Sequence, residues 1–315
     1  HWRDWIIESL NEDKGYDQMI LEMLAADELY PTDQNRLRAT GFLARNYFLF
    51  NRTTWLDKTI EHTSKAFLGL TMQCSKCHDH KYDPISAKDY YQFRAILEPH
   101  QIRTDTLPGE SNLEKGGLPR AFDMHLDART YIHVRGNEKE PDTSEQIHPG
   151  PPAFLGNIPF KVTSIALPPE AYRPETQTHV RDTLLQEAIA KIQTLEVTLK
   201  SLSSETAPCE SIDSAIIEIE LEWHAAKLRP AMIRSNFEAT RQKAVQPDAE
   251  NLNALIQRAA TAEYEYVLAQ LDWEISISKR ALNEAPDDKK EALKKKLDQY
   301  GADRSKQVQT HTRSE

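Results

Sequence analysis

Glycine is scarce in this chain, with 10 among 315 residues, which argues against a sandwich of short strands joined by tight turns. Cysteine is scarcer. There are three: Cys74 and Cys77 form a close pair, and Cys209 stands alone, so no disulfide framework can be read from them. No run approaches the roughly 20 apolar residues a membrane-spanning helix needs, and no basic-then-apolar signal segment opens the chain. Neither Gly-x-Gly-x-x-Gly nor a phosphate loop occurs, which leaves a nucleotide cofactor without support. Positive charge is also in deficit. The formal net charge of −10 is spread along the chain, a balance that speaks against nucleic acid or anionic lipid as partners. The chain opens at His1 in what reads as the middle of a helix, so it is expected to be a fragment or processed piece.

Helical periodicity dominates. Trp2, Trp5, Ile6 and Leu10 recur at helical spacing before a stop at Gly15, and Asp17 is expected to cap a second helix carrying Ile20, Leu21, Leu24 and Ala25. Met19 and Met23 read as core filling. Asn35 to Phe50 is expected to be core, and Cys209 to be buried or half-buried. From about Trp55, the residues Leu56, Ile60, Thr63, Phe67, Leu70, Cys74 and Cys77 alternate at four and three. That pattern predicts one helix whose buried stripe includes both sulfurs. Glu8, Glu12, Asp57 and Glu61 read as solvated helix faces. Ser86 and Asp89 stand at capping-box separation ahead of a helix ending near Leu97.

The texture then loosens, with short strands expected over 129–134 and 160–165. Beyond Pro174 it returns to heptads. Leu185, Ala188, Ile192, Leu195, Leu199 and Leu202 make one seam, Ile212, Ile216, Ile219, Trp223 and Ala226 a second after Pro208, and Leu252 to Trp273 a third after Pro247. Residues 291–300 are expected to add a short charged helix. The fold class expected is mostly α: an N-terminally truncated helical domain over 1–106, a loop-rich connector with short strands over 107–174, and an antiparallel coiled-coil bundle over 175–315.

The run Cys74-Ser75-Lys76-Cys77-His78 carries the chemistry. Two thiols one helical turn apart reach the two vinyl groups on one edge of a porphyrin, and the adjacent imidazole reaches its iron, the signature of c-type haem attachment. Zinc is the alternative cofactor, but a structural zinc site needs four ligands and no second Cys-x-x-Cys pair is present; His78, His80 or His100 would have to complete it. His80 is too close along the chain to reach the opposite face of the same haem and reads as a turn residue beside Asp79 and Asp83. Distal candidates are His100, Met124 and His125, with Met19 and Met23 behind them.

The stretch Thr59-Ile60-Glu61-His62-Thr63, Ala66-Phe67-Leu68-Gly69-Leu70-Thr71, Cys74 to Ile85 and Asp89-Tyr90-Tyr91 resembles the exported cytochrome c-like proteins of planctomycetes, which are built from paired domains of unknown function. Glu98-Pro99-His100, residues 119–123, residues 134–137 and residues 149–153 extend the resemblance, while the heptad half is similar only in texture. The resemblance implies covalent haem on Cys74 and Cys77, His78 as proximal iron ligand, and a periplasmic or cell-surface location. It also implies that other domains of the parent protein lie outside this chain, and it supplies no sixth ligand, redox partner or substrate. Electron transfer is the function expected. Two rivals stand beside it: a haem enzyme with an open sixth position, and a metal-stabilised or metal-free helical scaffold for a partner.

Overall fold

The structure is a computed structural model that describes residues 1–47, 51–156, 158–203 and 210–314, with the backbone alone at 210–213 and 312–314. Cys209, Pro208 and the stretch 48–50 lie outside the described residues. The chain is mostly α-helical and divides into two compact units, His1–Tyr172 and Arg173–Glu315. The residues read as a connector therefore fall mainly in the first unit.

That unit opens with α1 (Trp2–Asn11) and α2 (Tyr16–Leu29). Gly15 is the N-cap of α2, and Asp17 sits inside its first turn rather than capping it. The short helices α3 (Gln34–Leu37) and α4 (Gly41–Ala44) follow, α3 capped by Asp33. Trp5, Met19, Met23, Phe42 and Leu43 form one core, to which Ala121 of a later strand contributes. A second core collects Trp55, Leu56 and Ile60 from α5 (Arg52–Thr63) with Met72, Ile85, Tyr90 and Tyr91, the tyrosines lying on α6 (Ala87–Leu97). The Trp55 indole donates to the Leu43 carbonyl at 2.8 Å and ties the two cores together. The capping box forms as the sequence implied, with Ser86 and Asp89 exchanging backbone and side-chain bonds.

Two antiparallel pairs complete the unit. β1 (His100–Asp105) pairs with β2 (Leu118–Asp123), placing His100 opposite Asp123, and α7 (Leu113–Gly116) lies in the connection between them. β3 (Thr130–His133) pairs with β4 (Pro141–Ile147) across a register shift. No strand forms over 160–165. The segment pairs with neither of the two-stranded sheets, and Val162 and Ile165 remain exposed. The one-turn helix α8 (Pro169–Tyr172) closes the unit.

Among the described residues, the second unit is built around four long helices, α9 (Thr178–Ser203), α10 (Glu210–Val245), α11 (Leu252–Glu284) and α12 (Asp287–Ser314). Their pairing is antiparallel at each step. Lys191 meets Glu222 while the earlier Arg181 lies over Phe237, Arg258 meets Glu238 while Arg280 meets Glu218, and Arg304 meets Asp272 while His311 stacks on Tyr264. In each pair the residue number rises on one helix as it falls on the other. Ala188 and Leu195 are buried in the first seam as the heptads require, whereas Leu199, Ile216 and Trp223 are half-buried. The expected short helix over 291–300 is the middle of the 28-residue α12. Pro286 immediately before it and Asp287 and Asp288 in its first turn favour an earlier start.

Candidate functional site

The helix that begins at Arg52 does not reach the cysteines. It ends at Thr63, passes through a π-helical turn over Ser64–Leu68, and is stopped by Gly69 in the left-handed region at φ +66°. The wider turn shifts the phase of the apolar stripe, and Thr71, also non-helical, breaks it. A separate 3₁₀ turn then runs from Met72 to Lys76. At three residues per turn, positions three apart eclipse, so Met72 and Ser75 share one row of the turn, Gln73 and Lys76 a second, and Cys74 and Cys77 a third. Met72 and Ser75 are fully buried, the serine hydroxyl donating to the Ile85 carbonyl at 3.2 Å. Both cysteines are free and exposed. The expectation that the sulfurs continue a buried stripe is therefore corrected: the core takes their neighbours.

His78 is also exposed, and its Nδ1 lies 2.7 Å from the Asp79 carbonyl oxygen. A carbonyl only accepts, so Nδ1 carries the proton and the Nε2 lone pair is left available. His80 has the opposite arrangement. Its Nδ1 accepts the Asp83 amide at 2.9 Å, which makes it a turn residue as read from the sequence. The Asp79 carboxylate accepts the Ala87 amide at 2.8 Å, and the His80 amide donates to Ile85 at 2.8 Å, fixing the chain just after the motif. Gly136, at φ +75°, rests on the sulfur of Cys77: a Cβ there would stand 2.4 Å from Sγ.

Beneath the turn lies a buried ionic network. Asp57 accepts from Lys76 Nζ at 2.6 Å, from the Tyr90 hydroxyl at 2.6 Å and from Arg94 at 2.9 Å. Arg94 reaches Glu98 at 3.0 Å, and Glu98 binds Arg52 at 2.7 Å. Asp57 read as part of a solvated face; it is buried, because its i, i+3 relation to Ile60 places it near the core edge where Arg94 and Lys76 supply two cations. Burial alone would lower the Arg94 pKa, but Glu98 and Asp57 outweigh it and raise it. Burial, then the Asp57 charge, pushes the Tyr90 hydroxyl far up, and burial pushes Tyr91 up to about 12. The Tyr91 hydroxyl donates to the Lys76 carbonyl at 3.1 Å, and its ring meets the His133 ring edge-on at 5.2 Å. Burial, then Arg94 and Lys76, hold the His133 pKa below the usual histidine value. Sequence reasoning missed His133 and Arg94. Nothing local marks a histidine on a two-stranded pair or a buried arginine on an amphipathic helix.

The distal candidates are scattered. Met124 is exposed, and the amides of Met124 and His125 both donate to the Pro99 carbonyl. Met19 and Met23 are buried in the first core. His100 belongs to a different cluster, where one ligand-type atom each of Asp27, His100 and Asp123 lies within 4.8 Å of the others. Asp27 Oδ1, His100 Nδ1 and Asp123 Oδ1 are all buried without a hydrogen-bond partner. Each such atom left unmatched costs about 1–3 kcal/mol. Burial raises the Asp27 pKa, and burial followed by the Asp123 charge raises that of Glu28.

Residues 1–102 match the family model PSCyt2, described as a protein of unknown function (DUF1549). The match covers about a third of the chain, takes in α1 to α6 and the cysteine turn, and stops before Asp123, His133 and Gly136. No curated protein and no solved structure matches. No helix among the described residues is long and apolar enough to cross a membrane.

Proposed function

We propose that the Cys74–His78 turn takes one covalently attached c-type haem, and that this chain is an electron-transfer module of a larger exported protein of the planctomycete cytochrome c-like kind. The observation that carries the reading is the uneven burial of the turn: Met72 and Ser75 anchor it in the core while Cys74 and Cys77 share another row and stand exposed. The donor set fits the group. Each thioether bond needs an accessible thiol whose sulfur bonds a vinyl carbon while its hydrogen goes to the other, and both thiols are accessible. His78 would hold the iron through Nε2, its orientation fixed by the Nδ1 bond to Asp79. Lys76, held by Asp57, keeps the turn against α5. When bound, haem supplies one-electron redox chemistry.

Attachment of this kind takes place after export, so the location proposed is periplasmic or cell-surface, and the redox partner is another protein or another part of the parent. Of the distal candidates, His100 turns its Nδ1 towards Asp123 at 3.6 Å, leaving Met124, His125 or an external ligand for the sixth position. The test is expression in a periplasm alongside haem-maturation proteins. Wild type should gain the mass of one haem that survives acid–acetone extraction, with Cys74 and Cys77 closed to alkylation. Either single Cys→Ser change should leave one bond and shift the reduced α-band, and the double change should lose the haem on extraction. Stoichiometric zinc without covalent haem in the matured protein would overturn the reading, and a high-spin, ligand-accepting spectrum would favour a haem enzyme over an electron carrier.

A further inference from the structure

We infer that Asp27, His100 and Asp123 form a second, haem-independent site for one divalent metal ion, zinc. The three side chains come from separate elements, α2, β1 and β2, and are brought together by the strand register that sets His100 opposite Asp123. Ion pairing alone leaves the cluster unfinished. A protonated imidazole paired with a carboxylate closes to about 2.7–2.9 Å, yet His100 Nδ1 stands 3.6 Å from Asp123 Oδ1 and neither atom has a hydrogen-bond partner. Asp27 makes the same point from the helix side: it is only 4% exposed, its Oδ1 is likewise unpartnered, and the residue belongs to the converging set. One divalent cation held among these three side chains would satisfy them together.

The His100–Asp123 spacing is compatible with a coordination shell, and the third side chain stands within 4.8 Å of both. Two atoms each about 2.1 Å from a zinc ion stand about 3.4 Å apart in a tetrahedron, close to the 3.6 Å between His100 and Asp123. One imidazole with two carboxylates is a nitrogen and oxygen set, which suits zinc or manganese better than calcium or magnesium, whose sites are built from oxygen. Asp27 and Asp123 also line a cavity of about 480 Å³ together with Glu28, Arg120 and Tyr172. A fourth position therefore opens on space that admits water or a small anionic ligand, with the Arg120 guanidinium in the wall.

The experiment uses the full chain without a histidine tag, stripped of metal by chelator and with its thiols alkylated so that Cys74, Cys77 and Cys209 cannot bind zinc. Equilibrium dialysis against Zn²⁺ with elemental analysis should give one tight equivalent and a raised melting temperature, equally in haem-free and haem-loaded protein. Asp27→Asn and Asp123→Asn should each weaken uptake at least 10-fold and abolish the thermal shift, while far-UV circular dichroism of the metal-free variants matches wild type. Glu61→Gln, remote from the cluster, should bind as wild type. If either Asn variant does not fold, His100→Gln supplies the same readout. Absence of a stoichiometric equivalent in the alkylated wild type, or unchanged affinity in folded Asp27→Asn and Asp123→Asn proteins, would overturn the inference. Because haem plays no part in the readout, failure of the haem reading leaves this test intact.

Discussion

At the scale of single residues, the cysteine turn is governed by a period of three. An α-helical period would have carried the sulfurs along the Leu56 and Ile60 stripe; the 3₁₀ turn instead spends the buried positions on Met72 and Ser75. Gly136 is the partner of that arrangement, since its backbone lies where any side chain would strike Cys77. Gly136→Ala combines a positive φ with this contact, and the expected loss of stability is about 1 kcal/mol or more. Alkylation of the haem-free protein should change in rate at Cys77 and not at Cys74. Equal rates at the two thiols with an unchanged melt would show that the 134–137 loop does not rest on the sulfur.

At the scale of elements, the second unit depends on narrow seams of alanine and leucine. Leu195 is 5% exposed against α10 and Leu199 half-buried beside it. Burying such side chains is worth about 1.5–3 kcal/mol each, so Leu195→Asp with Leu199→Asp should cost several times that of a surface change and melt α9 away from α10. Circular dichroism at 222 nm should fall by an amount that reflects a long helix; an undiminished signal and melt would refute the seam. These heptads were legible because the spacing repeats over many turns. The junction at residues 63–72 was not, since Phe67, Leu70, Cys74 and Cys77 kept the three-four rhythm while Gly69 and the π turn broke the helix beneath it. A local stop of that kind competes with periodicity, and only Gly69 signalled it. The segment 160–165 failed for the reverse reason: its residues suit a strand, but a strand exists only where a neighbouring edge supplies hydrogen bonds.

At the scale of the whole molecule, the chemistry gathers in the first unit but is not confined to the family match. Cys74, Cys77, His78, Asp27 and His100 fall within residues 1–102, whereas Asp123, His133 and Gly136 come from beyond it. The motif at Cys74 to His78 was readable because its ligands are adjacent in sequence. The Asp27 cluster was not, because its three members are assembled by β-pairing and helix packing, and His100 drew notice only as a lone histidine after Pro99. The Asp57 network likewise draws on α5, the cysteine turn and α6, so the state of Tyr90 and Tyr91 reports on the whole unit. Both hydroxyls are held protonated by burial, with Asp57 adding to the effect at Tyr90. An acid whose folded pKa is raised keeps its proton longer in the native state than in the unfolded chain. The stability this confers is lost as pH rises from the ordinary phenol value near 10 towards and beyond about 12, the value for Tyr91. In an alkaline titration followed at 295 nm, most of the 11 tyrosines should ionise ahead of a final fraction of about two. That fraction should appear only together with the loss of near-ultraviolet circular dichroism, because Tyr90 cannot ionise beside Asp57 without opening the network that holds the cysteine turn. Full ionisation near pH 10 with the native spectrum retained would mean that the hydroxyls are not enclosed, and that the turn is anchored by something other than this network.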